Sequence, residues 1–444
     1  MQKLFSARII KARTVFKKII NGAVVMKFHP QKNTLIKELH NRTFPVVQLP
    51  AQVSSLVLLN PGDRQCEINR LTDLAHKHNV APPQAGESCY YQSFKEFDFR
   101  WERHNEFSTY TVICQGQPET ELCRNLFLLM DADWLDSLPG EVIAANHIDL
   151  RPTSLNPQQL QDYFDGKRLV GSKIYDGLAT VWTSVLDDAD GFIRTLVVDE
   201  GIDALQAGRA IRNLLEIAAY RAMTLLALPI ARELIPAVTK LEAQLVGTNA
   251  KLNLLETVED EQNLMTELIE EATQLEKLVA DHNFRFSATQ AYFSLTESRL
   301  DMLREQKLPT FRTLKQFHVR RFIPAFHTCM SVVKRKEDLS KRISRTTELL
   351  NSRLQLSLEL QNQRLLASMD KRSALQLRLQ QTVEGLSVVA MTYYSMNLIK
   401  LLMEPLPVEQ YLLMSKTMAL AIMTPFVFTG ALMLVKRIRN KLEK

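Results

Sequence analysis

GLSVVAMTYYSMNLIKLLM, residues 385–403, and TMALAIMTPFVFTGALMLV, residues 417–435, set how this 444-residue chain must be organised. The second holds no charged residue, and Lys436, Arg437, Arg439 and Lys441 follow it directly. The first is interrupted only by Lys400, whose long stem can lie in hydrocarbon while its ammonium reaches the headgroups. At 19 residues apiece, each is about long enough to cross a bilayer as a helix. A basic tail marks the cytoplasmic side, and the loop from Glu404 to Gln410 has acidic but no basic residues. Two crossings therefore leave both termini in the cytoplasm, with the lipid bilayer as the first expected partner.

Working back from this hairpin, Ala325 to Glu384 contains neither Gly nor Pro. Leu339, Ile343, Leu350, Leu354, Leu358, Leu365 and Met369 keep helical spacing within it. A straight helix of that length would span about 90 Å at about 1.5 Å per residue, which suits a stalk or an antiparallel coiled coil. Two earlier stretches share the pattern, Ile211 to Leu226 before Pro229 and Leu234 to Val279 after it. Charges are sorted along these helices. Glu256, Glu259, Asp260, Glu261, Glu267, Glu270, Glu271 and Glu276 make one stretch acidic, and ten Arg and Lys residues from Arg312 to Arg345 make a later one basic. Packed antiparallel, the two would fix register; as separate solvated faces they would not. Apolar stripes of this kind ask for partners, so a homo-oligomer through the stalk and membrane helices is expected.

Residues 31–200 differ in texture. Val53–Leu59, Phe107–Ile113, Leu126–Met130, Val142–Ala145, Leu169–Ile174, Ala179–Leu186 and Phe192–Val198 read as strands rich in Val, Ile, Phe and Thr. Asp176-Gly177 and Asp190-Gly191 make hairpins of the last three. Arg64–Asn79 and Pro157–Phe164 read as helices. The expected fold is an α+β cytosolic head with a mixed, largely antiparallel sheet. A long all-α, coiled-coil-like stalk follows over 201–382, and then two transmembrane helices within 383–436, at about 385–403 and 415–435. Residues 437–444 form a basic cytoplasmic tail.

Composition narrows the function. The net charge is +6, but seven of the 55 basic residues lie in the first thirty, which hold no acidic one. Without that leader 48 basic face 49 acidic residues, so a general polyanion-binding surface has no support and no nucleic-acid partner is expected. Leader basics alternate with Leu4, Phe5, Ile9, Ile10, Val15, Phe16, Ile19 and Ile20. This suits an amphipathic helix on an anionic leaflet, or a disordered extension. Five scattered cysteines without a Cys-x-x-Cys pair fit reduced cytosolic thiols rather than a disulfide framework or a zinc site.

Catalytic signatures are missing: there is no phosphate-cradling Gly-rich loop, no Gly-x-Ser-x-Gly and no His-Glu-x-x-His. The best polar constellation is Glu38, His40 and Arg42 with Glu102, Arg103, His104 and Glu106. In an extended strand Glu102, His104 and Glu106 would share one face. Glu216, Tyr220 and Arg221, on neighbouring turns of an apolar helix, could join them. Imidazoles and carboxylates so placed could bind a divalent cation or run acid–base chemistry, and a buried ion-pair network would use the same residues. Inside the first apolar segment, Tyr394, Ser395, Met396 and Asn397 resemble the pore motif of CorA-type magnesium channels, which also follow a cytosolic domain and stalk with two spans. There, Gly-Met-Asn after an aromatic ends the first span. Ser395 in place of that glycine removes the residue that permits the turn.

A second resemblance covers most of the chain. It rests on Glu38-Leu-His-Asn-Arg-Thr-Phe-Pro45, Trp101-Glu-Arg-His-Asn-Glu-Phe107, Ala207-Gly-Arg209, Leu215-Glu-Ile-Ala-Ala-Tyr-Arg221 with Leu226-Ala-Leu-Pro229, and Thr382-Val-Glu-Gly-Leu-Ser-Val388 with Thr392-Tyr-Tyr394. These phrases resemble domain of unknown function 3422, a bacterial family of uncharacterised membrane-anchored proteins, from about residue 30 onward. The resemblance implies a membrane anchor at the bacterial inner membrane and supplies no activity. The expected function is a non-enzymatic, oligomeric scaffold or interaction protein without a cofactor. The alternatives are a CorA-like divalent-cation channel through Asn397 and a head-domain enzyme using the His/Glu residues.

Overall fold

Strand β1, Ala51–Leu59, is buried along nearly its whole length, the mark of a central strand covered on both faces. The computed structural model describes residues 19–20, 23–24, 28–32, 36, 44–59, 62–84, 86–116, 125–405 and 415–442. The chain divides into two units, Met1–Val246 with Glu270–Arg342, and Gly247–Ile269 with Ile343–Lys444.

In the first unit, β1 is followed by helix α1 (Arg64–Lys77), the hairpin strands β2 (Cys89–Ser93), β3 (Asp98–Arg103) and β4 (Phe107–Gln115), the short helix α2 (Ala132–Asp136), and β5 (Glu141–Arg151). Then come helix α3 (Pro157–Tyr163), strands β6 (Val170–Ile174), β7 (Ala179–Asp187) and β8 (Ile193–Asp199), and helices α4 (Ala204–Leu225), α5 (Ala227–Lys251), α6 (Val258–Ala280) and α7 (Asn283–Met302). The two-residue strand β9 (Gln306–Lys307) precedes α8 (Leu314–Met403), which runs on into the second unit, where α9 (Lys416–Leu442) closes the chain. The nine strands form one sheet in the order β9-β6-β7-β8-β5-β1-β4-β3-β2. Every pairing is antiparallel except β8 with β5. The α+β head with a mixed, largely antiparallel sheet is thus present, including both hairpins of β6–β8.

Helices cover both faces of that sheet. On one side Ile68, Leu71 and Leu74 of α1 pack with Phe99, Trp101, Tyr110 and Trp134. On the other, Ala207, Ala210, Ile211, Leu214 and Leu215 of α4 lie on Val53, Ile113, Ile148 and Val197. α4, which its periodicity groups with the stalk, is therefore core to the head. It opens with a capping box, Asp203 and Gln206 each accepting from the other's backbone. It stops at Leu225, four residues before Pro229, whose missing N–H would have served that carbonyl. Further on, Ala227, Ala231 and Val238 of α5 meet Phe286 of α7 and Cys329 and Val332 of α8. Arg335 clasps Glu242 at 2.6 Å.

α4 reaches the sheet across a strap formed by Phe44 to Val47. Gly208 makes that approach possible: a Cβ there would sit 2.2 Å from the Pro45 carbonyl oxygen, a backbone atom with little room to yield. Gly208→Ala is expected to destabilise the head by about 1–3 kcal/mol, as overpacked sites do, read as a lower urea midpoint. An unchanged midpoint would mean that the strap is not pinned there.

Three sequence expectations need correcting. Leu126–Met130 is not a strand; Leu126–Leu129 is a 3₁₀ turn, because the Asn125 side chain accepts from the Phe127 N–H and starts a helical turn. β2 and β3 are missing from the strands expected; in β3, Arg100 and Glu102 interrupt the apolar pattern. In the leader, Ile19–Ile20 and Ala23–Val24 pair antiparallel, so those four residues are extended rather than helical. Residues 1–18, 21–22 and 25–27 lie outside the described residues.

In the second unit the α5–α6 connection is tied to α8. Arg353 donates to Glu261 at 2.8 Å and to the carbonyls of Leu252 and Leu255 at 2.9 and 2.6 Å. Thr346 bonds Asn249 at 2.8 Å, and Lys251 pairs with Glu267 at 2.6 Å. From Leu356 to Leu379, α8 leaves Leu358, Leu365, Leu366, Met369 and Leu375 half or more exposed. Three helical stretches among the described residues are long and apolar enough to cross a membrane. The apolar window of Ala204–Leu254 is half buried, whereas that of Lys416–Arg439 has none of its residues buried. Arg439 lies 3.8 Å from Glu384, and Lys416 donates to the Glu404 carbonyl at 3.2 Å.

Candidate functional site

β3 and β4 form a tight hairpin, and its pleat sorts the polar residues of Trp101–Phe107 onto two faces. Toward α4 lie Arg100 and Glu102, opposite Thr111 and Thr109 of β4. Arg100 donates to Glu102 at 2.9 Å, and both are buried. The Arg100 guanidinium also covers the Phe44 ring, 5.2 Å from its centroid. From above, α4 brings Arg212, Glu216 and Tyr220 down one stripe at helical spacing. Glu216 accepts from Arg212 at 2.8 Å and from Arg299 of α7. These groups close on a cavity of about 30 Å³ also lined by His104, Phe107 and Thr109, room for roughly one water.

His104, Asn105 and Glu106 are not strand residues. β3 ends at Arg103, and the His104 N–H donates to the Phe107 carbonyl at 2.8 Å to close the turn. The one-face alternation expected for Glu102, His104 and Glu106 therefore fails at its third member. His104 stays at the cavity, stacked on Phe107 with centroids 4.2 Å apart, while Glu106 swings out to pair with Arg285 of α7. Tyr220 and Tyr292 stack at 5.9 Å beside them. Burial, reinforced by Glu216 and Glu106 respectively, raises both phenols well above their ordinary range. Each carboxylate of this cluster already accepts from a guanidinium, so any proton transfer would first have to break an ion pair. Among the described residues no group of three or more His, Cys, Asp or Glu is placed to hold a metal. The arrangement binds the β3–β4 hairpin to α4 and α7.

Arg103 belongs to the other face. Its guanidinium pairs with Glu67 of α1 and donates to the Gly62 carbonyl at 2.7 Å. Glu67 also accepts from the Trp101 indole at 3.0 Å and the Tyr110 hydroxyl at 2.7 Å, and it is wholly buried. Its place on the apolar stripe Glu67-Ile68-Leu71-Leu74 is the signal that could have marked it from sequence.

Arg221 also leaves the expected cluster. One residue past Tyr220, it turns about 100° around α4 and lines a different cavity with Asn146, Thr183 and Thr195. No carboxylate pairs with it among the described residues, and burial lowers its pKa to about 10. The Asn146 Nδ2 beside this cavity has no hydrogen-bond partner. Glu38, His40 and Arg42 lie outside the described residues. Tyr394, Ser395, Met396 and Asn397 sit inside α8, which continues as helix to Met403.

No curated protein and no solved structure matches this chain. The profile described as protein of unknown function (DUF3422) matches residues 27–442, taking in the β3–β4 hairpin, the α4 stripe and both terminal apolar helices. The chain therefore belongs to the DUF3422 family.

Proposed function

We propose that this protein is anchored in the bacterial inner membrane by a helical hairpin, residues 385–403 and 417–435, with its α+β head on the cytoplasmic side. There it acts as a non-enzymatic, self-associating scaffold. The observation that carries this reading is the pairing at both ends of the two apolar segments. Glu384, just before the first, meets Arg439, just after the second, and Lys416 reaches back to Glu404 at the opposite end. Two apolar stretches antiparallel to each other, charged within only at Lys400 near one end and with apolar side chains turned outward, suit hydrocarbon surroundings. Exposed Leu358, Leu365, Leu366 and Leu375 on α8 support self-association through that helix, since a soluble helix seldom leaves such a stripe uncovered. The engaged carboxylates around Glu102 and Glu216 favour a structural role for that cluster.

The full chain is expected to stay with membranes through alkaline carbonate extraction. In spheroplasts, a membrane-impermeant maleimide should label Glu409→Cys, and should label Lys441→Cys only after permeabilisation. Release by carbonate, or the reverse labelling, would remove the anchor and its topology. Crosslinking in native membranes that traps only monomers would remove the self-association.

A further inference from the structure

A cavity of about 440 Å³ opens where the β6–β7 hairpin meets the start of α8, a size that holds a small organic ligand. Its rim carries four guanidinia: Arg168 just before β6, Arg312 in the loop before α8, and Arg320 and Arg321 in the first turns of α8. None of the four has a carboxylate within salt-bridge distance among the described residues, and no acidic side chain lines the cavity. Like charges gathered this way repel: Arg320, Arg168 and Arg321 lower the pKa of Arg312. Elsewhere in the head, by contrast, Arg212, Arg299 and Arg304 are each held by a carboxylate.

The walls below the rim are apolar, made by Leu169, Val185, Phe311 and Phe317. The geometry is held in place. The Arg312 carbonyl accepts from the Gly171 N–H at 2.9 Å. Trp182 lies across Gly171, where a Cβ would stand 2.3 Å from the indole, and meets Phe311 edge-on at 4.5 Å. Within that wall, Val185 adopts φ 54°, a left-handed conformation that a β-branched residue resists and that marks functional sites more often than chance. The N-terminus of α8 is not available to an anion. Glu305 accepts from the Leu314 and Lys315 N–H groups, and the Thr313 hydroxyl takes that of Gln316. An anion in this cavity would therefore be held by the arginines.

We propose that this cavity binds a phosphate monoester that carries an apolar group. Its phosphate lies among Arg168, Arg312, Arg320 and Arg321, and its apolar part lies against Phe311 and Phe317. A dianionic phosphate offers several guanidinia paired acceptor oxygens at once, and the fork of each guanidinium matches that geometry. Inorganic phosphate alone would leave the aromatic wall uncovered. The monoester can be a soluble metabolite or the headgroup of an anionic lipid, because both present the same chemistry.

The test uses the full chain in phosphatidylcholine nanodiscs, titrated with 1-naphthyl phosphate, inorganic phosphate and 1-naphthol. Naphthyl phosphate is expected to saturate a single site, about tenfold or more tighter than either fragment. Arg312→Gln with Arg320→Gln should weaken it by about tenfold or more. Phe317→Ala should weaken naphthyl phosphate while leaving inorganic phosphate unchanged. Lys334→Gln with Arg372→Gln removes the same charge away from the cavity and should change neither. Tryptophan fluorescence confirms that each variant is folded. Nanodiscs with one part phosphatidic acid in four separate the sources: competition with naphthyl phosphate assigns a lipid, and no competition assigns a soluble ligand. No saturable binding, no effect of the arginine pair, or an equal loss in the charge control would each overturn the proposal.

Discussion

Glu67→Ala is expected to cost the head about 3–5 kcal/mol, the loss typical of breaking a buried ion pair by removing one partner. Glu67 has no solvent-exposed surface, so water cannot replace it. Its carboxylate collects the Arg103 guanidinium, the Trp101 indole N–H and the Tyr110 hydroxyl. Alanine would strand the Trp101 and Tyr110 donors between α1 and the sheet, beneath a hydrophobic cluster, and would leave Arg103 only the Gly62 carbonyl. Burial, with the Glu67 charge added, holds the Tyr110 phenol far above the usual range, so it stays a protonated donor. Glu67→Gln keeps the shape and two acceptor contacts but loses the charge facing Arg103, so its cost should be smaller. In an Arg103→Met background, Glu67→Ala should cost at least about 1 kcal/mol less than in the parent, since neighbours in one network are not additive. Urea unfolding followed by tryptophan fluorescence measures this. A Glu67→Ala midpoint within about 1 kcal/mol of the parent would mean that the carboxylate is not the keystone of that face.

What could be seen in the sequence follows from where periodicity survives. The hairpins of β6–β8 announce themselves because Asp-Gly turns separate β-branched runs, and the long helices because no Gly or Pro breaks them. β2 and β3 are silent for a physical reason. β3 is covered on both faces, and one of those faces buries the Arg100–Glu102 pair, so neither alternation nor an apolar run is left to read. The candidate cluster was half legible. Glu102, His104, Glu216 and Tyr220 do meet at one cavity, the last two by their helix spacing and His104 from the turn that follows β3. Arg103 and Arg221, however, are each one residue out of phase, which in a strand means the opposite face and in a helix about 100° of rotation. The arginine cavity could not be read at all. Arg168 and Arg320 come together only because β6 and the start of α8 are adjacent in the fold.

The same burial that hides polar residues from sequence reading should make the head acid-sensitive in a defined window. His147 of β5 lies flat on Phe192, with centroids 3.9 Å apart, and shares a hydrogen bond with Ser54 at 2.8 Å. His318 of α8 is spent on the Leu314 carbonyl through Nδ1, its Nε2 has no partner, and Arg221 is near enough to repel a positive charge on the ring. Burial pushes both imidazoles down to about 4, against about 6.5 in an unfolded chain. Between those values the unfolded chain takes up protons that the folded head refuses, so stability falls as pH falls. Each histidine should remove about 2 kcal/mol between pH 7 and 5, and the loss should level off near pH 4. Glu200 and Glu242, whose pKa values are lowered first by hydrogen bonds from Lys173 and Arg335, give up their contribution only below about pH 4.5. The histidines thus own the interval above. Trp101, Trp134 and Trp182 are the chain's three tryptophans and all lie in the head, so their fluorescence reports its unfolding alone. The urea midpoint should drop between pH 7 and 5. In the His147→Gln, His318→Gln double variant that drop should largely vanish, whatever the variant's stability at pH 7. A double variant that keeps the full slope would place the proton uptake elsewhere in the molecule.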